Sequence, residues 1–257
     1  MFPIGDENEP GRGPAFVSIA FILVNLAVFF LLQLPESGNR DQPFTYGWSA
    51  IPLEITTGRD LVEPQPVTID GQTVAIPQAP GPQPIWLTLL TSMFMHGGIA
   101  HILGNMLFLW IFGDNVEHRV GHVMYFLFYL GAGIIASFAQ IAINPDSVIP
   151  TLGASGAISG VLGAYLVMFP QNRVTVVVFR FIPYQVPAIV AIGLWAVFQF
   201  INGFGSIATT EESGGGVAYL AHIGGFISGV VFGLVARTIW GSGPRGTPAA
   251  ARNYSLR

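Results

Sequence analysis

The chain has 257 residues, of which 51% are apolar and only 9% charged, against about 25% charged in an ordinary soluble protein. That balance excludes a soluble cytosolic enzyme. All ten basic residues are arginines and the net charge is −4, which excludes a polybasic nucleic-acid surface and singles out no other partner. Cysteine is absent, so disulfides, thiolate zinc sites and cysteine nucleophiles are ruled out, and any chemistry must come from oxygen and imidazole.

A membrane-spanning helix needs about 20 mainly apolar residues. Six stretches qualify, near 16–34, 97–113, 122–143, 152–169, 185–203 and 217–240. The only aspartate, glutamate, lysine or arginine inside them is Arg237. The first stretch follows Asp6, Glu7 and Glu9, is too long for a secretory signal and has no cleavage site after it, so it reads as an ordinary first span. Residues 35–84, polar and rich in proline, read as a long external loop. Two β-prone runs flank Asp70-Gly71 there, which predicts a short hairpin over 67–76. Segments 1–15 and 241–257 are Gly/Pro-rich or charged, and are expected to be disordered cytoplasmic tails.

Orientation follows from the arginines. With the N-terminus inside, inner segments hold Arg12, Arg119, Arg173, Arg180, Arg237, Arg245, Arg252 and Arg257, while outer loops hold only Arg40 and Arg59. The positive-inside tendency then puts both ends of the chain in the cytoplasm, as an even number of spans requires. The fold class expected is an all-α membrane protein: six transmembrane helices over 16–240, with the long external loop between helices 1 and 2.

Polar side chains are costly in hydrocarbon, so those inside spans are candidates for function. His101 and Asn105 lie in the second span, Ser155 in the fourth and His222 in the sixth. In the N-in topology all four fall in the outer half of the membrane. A serine hydroxyl becomes a useful nucleophile when a neutral histidine takes its proton, and acyl transfer needs donors for the oxyanion that develops. Ser155 with either histidine could supply the attack, and Asn105 with the other could supply the oxyanion site. His101 and Asn105, four apart, share a helix face. No carboxylate lies at that depth, so the pattern is a dyad, its base oriented by packing.

Taken singly, each residue has a plainer role. A lone membrane histidine or asparagine is more often interhelical glue, and Ser155 belongs to a row of small residues (Gly156, Ser159, Gly160, Gly163) that Gly225 and Gly229 could match in close packing. Asn25 in the first span reads as structural. His118 and His122 read as a solvated pair beside Glu117 rather than metal ligands, and no metal or cofactor is called for. Gly153-Ala154-Ser155-Gly156-Ala157 lacks the last glycine of the G-x-S-x-G elbow, and with no lysine there is no P-loop.

Three segments resemble the rhomboid intramembrane serine proteases: HGGIAHILGNMLFLWIFGDNVE (96–117), TLGASGAISG (151–160) and AHIGGFISG (221–229). They are similar to that family's H-x-x-x-x-H-x-x-x-N block, its G-x-S-G motif and its A-H-x-x-G-x-x-x-G last helix. The resemblance implies that Ser155 is the nucleophile and His222 the general base. It implies that His101 and Asn105, with the Ser155 backbone N–H, stabilise the oxyanion, and that His96 orders the loop. It further implies cleavage of transmembrane proteins near the outer face, with FGSIATTEESGGG (204–216) as a mobile cap. A Trp-Arg pair common in the family's external loop is absent here. Where some members carry a tyrosine beneath the catalytic histidine this chain has Ser159, so His222 needs another support.

The expected function is thus an intramembrane serine endopeptidase acting on transmembrane protein substrates in a lipid bilayer, in a bacterial plasma membrane, without nucleic acid. The alternative is a proteolytically inactive relative acting as a membrane chaperone or adaptor. A small transporter is disfavoured, because intramembrane carboxylates and an inverted repeat are lacking.

Overall fold

The computed structural model describes residues 2–8, 13–38, 42–69, 71–178, 182–208 and 218–240. Six long helices form the body. They are α1 (Phe16–Glu36), α5 (Ile99–Val120), α6 (His122–Ile143), α7 (Ser155–Met168), α8 (Ala188–Ala208) and α9 (Tyr219–Trp240). By length and composition α1, α5, α6 and α9 can each cross a membrane. Their outward faces are apolar, with Leu31, Trp110, Leu127 and Val231 all exposed, as a bundle solvated by lipid requires. The helical membrane bundle expected from composition is what forms.

At its centre stands α7. It has 14 residues, about 21 Å at 1.5 Å per residue, whereas the hydrocarbon core is about 30 Å thick. At least one of its ends therefore stops short of the level the longer helices reach. Almost all of its residues are buried, because it is apolar all round and enclosed by neighbours. The contact with α9 is backbone to backbone. A Cβ on Gly225 would collide with the carbonyl of Gly156, and one on Gly229 with the carbonyl of Gly160. On its other side, a Cβ on Gly156 would meet that of Ala136 on α6 at 2.6 Å.

The non-helical backbone before α7 is satisfied by the segment between α1 and α5. That segment contains α2 (Pro43–Gly47), α3 (Pro52–Thr57), the hairpin of β2 (Gln65–Ile69) and β3 (Gln72–Ile76), and α4 (Ile85–Phe94). Ala50 and Thr151 exchange backbone hydrogen bonds at 3.0 and 2.8 Å, and the Gly153 N–H donates to the Ser92 carbonyl at 2.9 Å. The Leu53 N–H donates to the Ser147 carbonyl at 3.0 Å. Ala50, Leu53 and Ser92 thus tie this segment to the approach to α7, because buried peptide groups must find partners.

The opposite end of the bundle corrects the sequence reading. Phe2–Asp6, expected as part of a disordered tail over 1–15, is a strand, β1, paired with β4 (Arg173–Val178). β4 also pairs with β5 (Ile182–Pro187), giving an antiparallel sheet in the order β1-β4-β5. The run RVTVVV is β-branched and alternates, burying Val174 and Val176, so it needs a neighbour on each side. β1 supplies one of them, and as an edge strand it tolerates Pro3. The tail expected over 241–257 lies outside the described residues.

α5 also runs two turns beyond the predicted end of its span, carrying Asp114, Asn115, Glu117 and Arg119. Glu117 is fully buried. Its carboxylate accepts the N–H groups of Val17 and Ser18, both at 2.8 Å, and the Ser18 hydroxyl at 2.7 Å. It thereby caps the first turn of α1, where backbone donors have no partner within the helix and the dipole favours a negative charge. The Arg119 guanidinium lies 5.0 Å from the Phe169 ring centroid, a cation–π contact. His122 bonds Glu117 through Nδ1 at 2.6 Å, and His118 Nε2 lies 2.8 Å from the Gly13 carbonyl oxygen.

Candidate active site

Ser155 is the first residue of α7 and His222 lies in the first turn of α9. The glycine contacts between the two helices bring the side chains together: Ser155 Oγ is 2.8 Å from His222 Nε2. The other ring nitrogen, Nδ1, is 2.8 Å from Oε1 of Gln199 on α8. An amide oxygen only accepts, so Nδ1 carries the proton and Nε2 is left to accept from the Ser155 hydroxyl. Trp195, one turn earlier on α8, faces the imidazole with ring centroids 6.2 Å apart. Where the sequence left the support of His222 open, Trp195 and Gln199 provide it. Ser159 instead donates to the Ser155 carbonyl at 2.6 Å.

Gln199 is one of two amides, with Asn202, in the apolar run 188–203, and it carries no charge that would mark it as a third member.

His101 comes from the first turn of α5 and packs against the backbone that leads into Ser155. A Cβ on Gly153 would lie 2.9 Å from its Nε2, and Gly153 has φ +124°, a conformation open to glycine but not to bulkier residues. His101 Nδ1 accepts the Gly97 N–H at 3.3 Å, which leaves Nε2–H as the donor on the Gly153 side. Asn105, one turn on, is buried, and its Nδ2 has no hydrogen-bond partner. A buried donor without an acceptor costs about 1–3 kcal/mol, so a group that accepts from it would recover that cost. The N–H of Ser155, at the start of α7, belongs to the set with no partner inside the helix.

His96 sits behind His101, ring centroids 5.1 Å apart. Its backbone is clamped by Gln33, whose Oε1 accepts the His96 N–H at 2.9 Å and whose Nε2 donates to the His96 carbonyl at 3.2 Å. Burial, reinforced by His101, pushes its imidazole down to about 3, so it stays neutral. Asn25 on α1 donates to the Phe21 carbonyl at 2.8 Å, a local structural bond. Of the stretch 204–216, residues to Ala208 continue α8, and 209–217 lie outside the described residues.

A cavity of about 30 Å³ adjoins Ser155, lined by Ser92, Ser137, Gln140 and Thr151 among others. It is roomy and polar enough to hold a water, which needs roughly 10–15 Å³ and a few polar partners. A hydroxyl against an imidazole nitrogen, a buried donor without an acceptor and a pocket with room for a water are the parts that acyl transfer requires.

The Rhomboid domain family matches residues 83–238, more than half of the chain. The chain is 38% identical over 149 residues to the Rhomboid protease GluP of Bacillus subtilis, covering 58% of this chain and 26% of that protein. It is 28% identical over 228 residues to Rhomboid protein 1, mitochondrial, of Saccharomyces cerevisiae, covering 86% of this chain and 53% of that protein. It is also 35% identical over 83 residues to the Putative rhomboid protease YdcA of Bacillus subtilis, covering 32% and 41%. The chain thus spans between about a quarter and about half of the lengths of these relatives. With the domain match running from the end of the segment between α1 and α5 into α9, the chain is an integral membrane protein that belongs to the rhomboid family.

Proposed function

We propose that the protein is an intramembrane serine endopeptidase that hydrolyses peptide bonds of transmembrane proteins. The observation that carries this reading is the 2.8 Å contact of Ser155 Oγ with His222 Nε2. The Ser155 oxygen attacks the scissile carbonyl carbon while Nε2 takes its proton, forming a tetrahedral oxyanion that His101 Nε2–H, Asn105 Nδ2–H and the Ser155 N–H would stabilise. Collapse breaks the C–N bond, and His222 returns the proton to the leaving amine. Water, deprotonated in turn by His222, attacks the acyl-Ser155 ester, and the proton returns to Ser155 as the acid leaves.

A hydrogen-bonded helix shields its carbonyls, so substrates are expected to break near glycine or proline, where the helix is weakened. We place the catalytic unit at 16–240, with 35–84 outside the cell and both ends of the chain in the cytoplasm of a bacterial cell. Because the chain has no cysteine, single cysteines at Thr73 and Asn172 labelled by a membrane-impermeant maleimide test that topology: Thr73 reacts from outside and Asn172 does not.

The activity is tested with purified protein reconstituted with a transmembrane substrate. A fluorophosphonate probe should label the wild type but not Ser155→Ala, and cleavage should be lost in Ser155→Ala and His222→Ala. Equal cleavage by all three would overturn the assignment. A folded wild type that neither labels nor cleaves would favour the adaptor reading.

A further inference from the structure

We propose that Gln199 is the positioning residue of this site: it selects the tautomer of His222, and through it the place of α8 decides whether the Ser155–His222 pair is competent. The inference rests on the protease reading and adds a member to the site on a third helix.

A neutral imidazole has two tautomers, and only the Nδ1–H form leaves Nε2 free to take the Ser155 proton. In the other form Nε2–H would face Ser155 and the base would be lost. Gln199 is 7% exposed, and an amide buried among apolar residues is retained at a cost unless it is hydrogen-bonded. Its Oε1 meets Nδ1 at 2.8 Å, which fixes the Nδ1–H form. Glutamine suits this depth better than a carboxylate, because an ionised acid inside the membrane is costly while an amide oxygen accepts the same hydrogen bond uncharged.

The surroundings add no rival orienting group among the described residues. The titratable group that acts on His222 is His101 of α5. α7 presents Ser155 and α8 presents Gln199 and Trp195. From α6, Gln140 accepts the N–H of Ala221 at 3.3 Å rather than touching the ring.

α8 also has open space on two sides near the site. Its outer face is open, with Leu194, Val197, Phe198 and Ile201 all exposed. An apolar cavity of about 300 Å³ lies between it and α5 and α7, lined by Phe108, Phe112, Leu162, Ile192 and Trp195 among others. Ser155 and His222 are locked by glycine contacts, whereas their third partner rides on a helix with space behind it. A shift of α8 that withdraws Gln199 would leave the 2.8 Å pair in place and release the tautomer.

The test uses the full chain in detergent or proteoliposomes, comparing wild type, Gln199→Leu and Gln199→Glu. Wild type labelled with ¹⁵N-histidine should show His222 as the Nδ1–H tautomer by NMR, and Gln199→Leu should show a mixture. Gln199→Leu should lower kcat for a transmembrane substrate by about 10–100-fold with KM unchanged, and slow fluorophosphonate labelling of Ser155 to match. Gln199→Glu offers a charged acceptor once its carboxyl ionises, which burial defers to higher pH, so labelling should recover as the pH is raised. Its carboxylate favours the protonated ring, so the acidic limb of the kcat–pH profile should move to higher pH.

An Nε2–H tautomer in the wild type overturns the proposal even if the enzyme is active. So does a Gln199→Leu protein with wild-type labelling and pH profile, or equal losses in both variants tracking a lowered melting temperature. Wild type that keeps the Nδ1–H tautomer yet neither labels nor cleaves sinks the protease reading instead, while supporting the contact.

Discussion

The carbonyl oxygen of Gly160 fills the space that any side chain on Gly229 would need. One turn nearer the site the carbonyl of Gly156 stands in the same relation to Gly225, and beyond that pair lie Ser155 and His222. The distance between the Ser155 hydroxyl and the His222 imidazole is thus set by two places where helices touch through backbone alone.

Gly229→Val should therefore push α9 away from α7, destabilise the protein by about 1–3 kcal/mol and abolish labelling of Ser155. Gly131→Ala on α6 is the control: nothing lies within 4 Å of the added methyl, and its effect on unfolding should be neutral or stabilising by up to about 1 kcal/mol. Thermal unfolding in detergent with probe labelling on the same samples checks both. Retained labelling in Gly229→Val would show that the glycine contacts do not hold the pair.

At Gly153 the expected failure is of another kind. An alanine there must adopt φ +124° and would press on the His101 ring, a strain of about 1–3 kcal/mol. It bears on the proposed oxyanion side, leaving the Ser155–His222 contact intact. Gly153→Ala should lose kcat more than it loses unfolding temperature, measured by cleavage kinetics alongside a melt.

Glu117 should prove structural. Glu117→Ala strips three acceptor contacts from the start of α1 and should cost about 3 kcal/mol or more. Glu117→Gln keeps an acceptor and should lose less. Reversible unfolding in mixed micelles, with equal losses in the two variants, would contradict the capping role.

The sheet end should respond to pH through Asp6. Its Oδ2 accepts the Tyr165 hydroxyl at 2.6 Å and Asn115 Nδ2 at 2.8 Å. Burial nonetheless outweighs those bonds and raises its carboxyl from 3.8 to about 7. The docked strand therefore holds more protons than the undocked chain across that window, so docking is strongest at its acidic end and weakens as pH rises toward 7. The protection of Phe2–Asp6 against hydrogen exchange, each rate divided by the intrinsic amide rate at the same pH, should be greater at pH 5 than at pH 8, and Asp6→Asn should make the two protections alike. Lower protection at pH 5 than at pH 8 in the wild type would contradict it.

Much of the bundle could be read from composition, because lipid exposure demands long apolar runs and their ends need only turns. Ser155, His222, His101 and Asn105 stood out for the same reason: a polar group in such a run must have a purpose. What could not be read is what depends on remote partners. Phe2–Asp6 looks like a tail until Val174 and Val176 need a covering strand, and Glu117 looks like a loop acid until the first turn of α1 needs a cap. Gln199 carries no charge to set it apart from Asn202 in the same run, yet its Oε1 reaches the imidazole at 2.8 Å.

The pairing of β1 with β4 bears on how the chain is made. Phe2–Asp6 leave the ribosome before α1, α5, α6 and α7 have been inserted, and their partner strand follows all four. So distant a pairing adds a slow, non-local step to folding. Until then the segment is an unpaired edge carrying apolar residues, so the sheet closes only on a bundle whose first four long helices are already in the bilayer. A defect in inserting any of them would surface as an undocked β1, which makes protease sensitivity of Phe2–Asp6 a reporter of assembly as a whole.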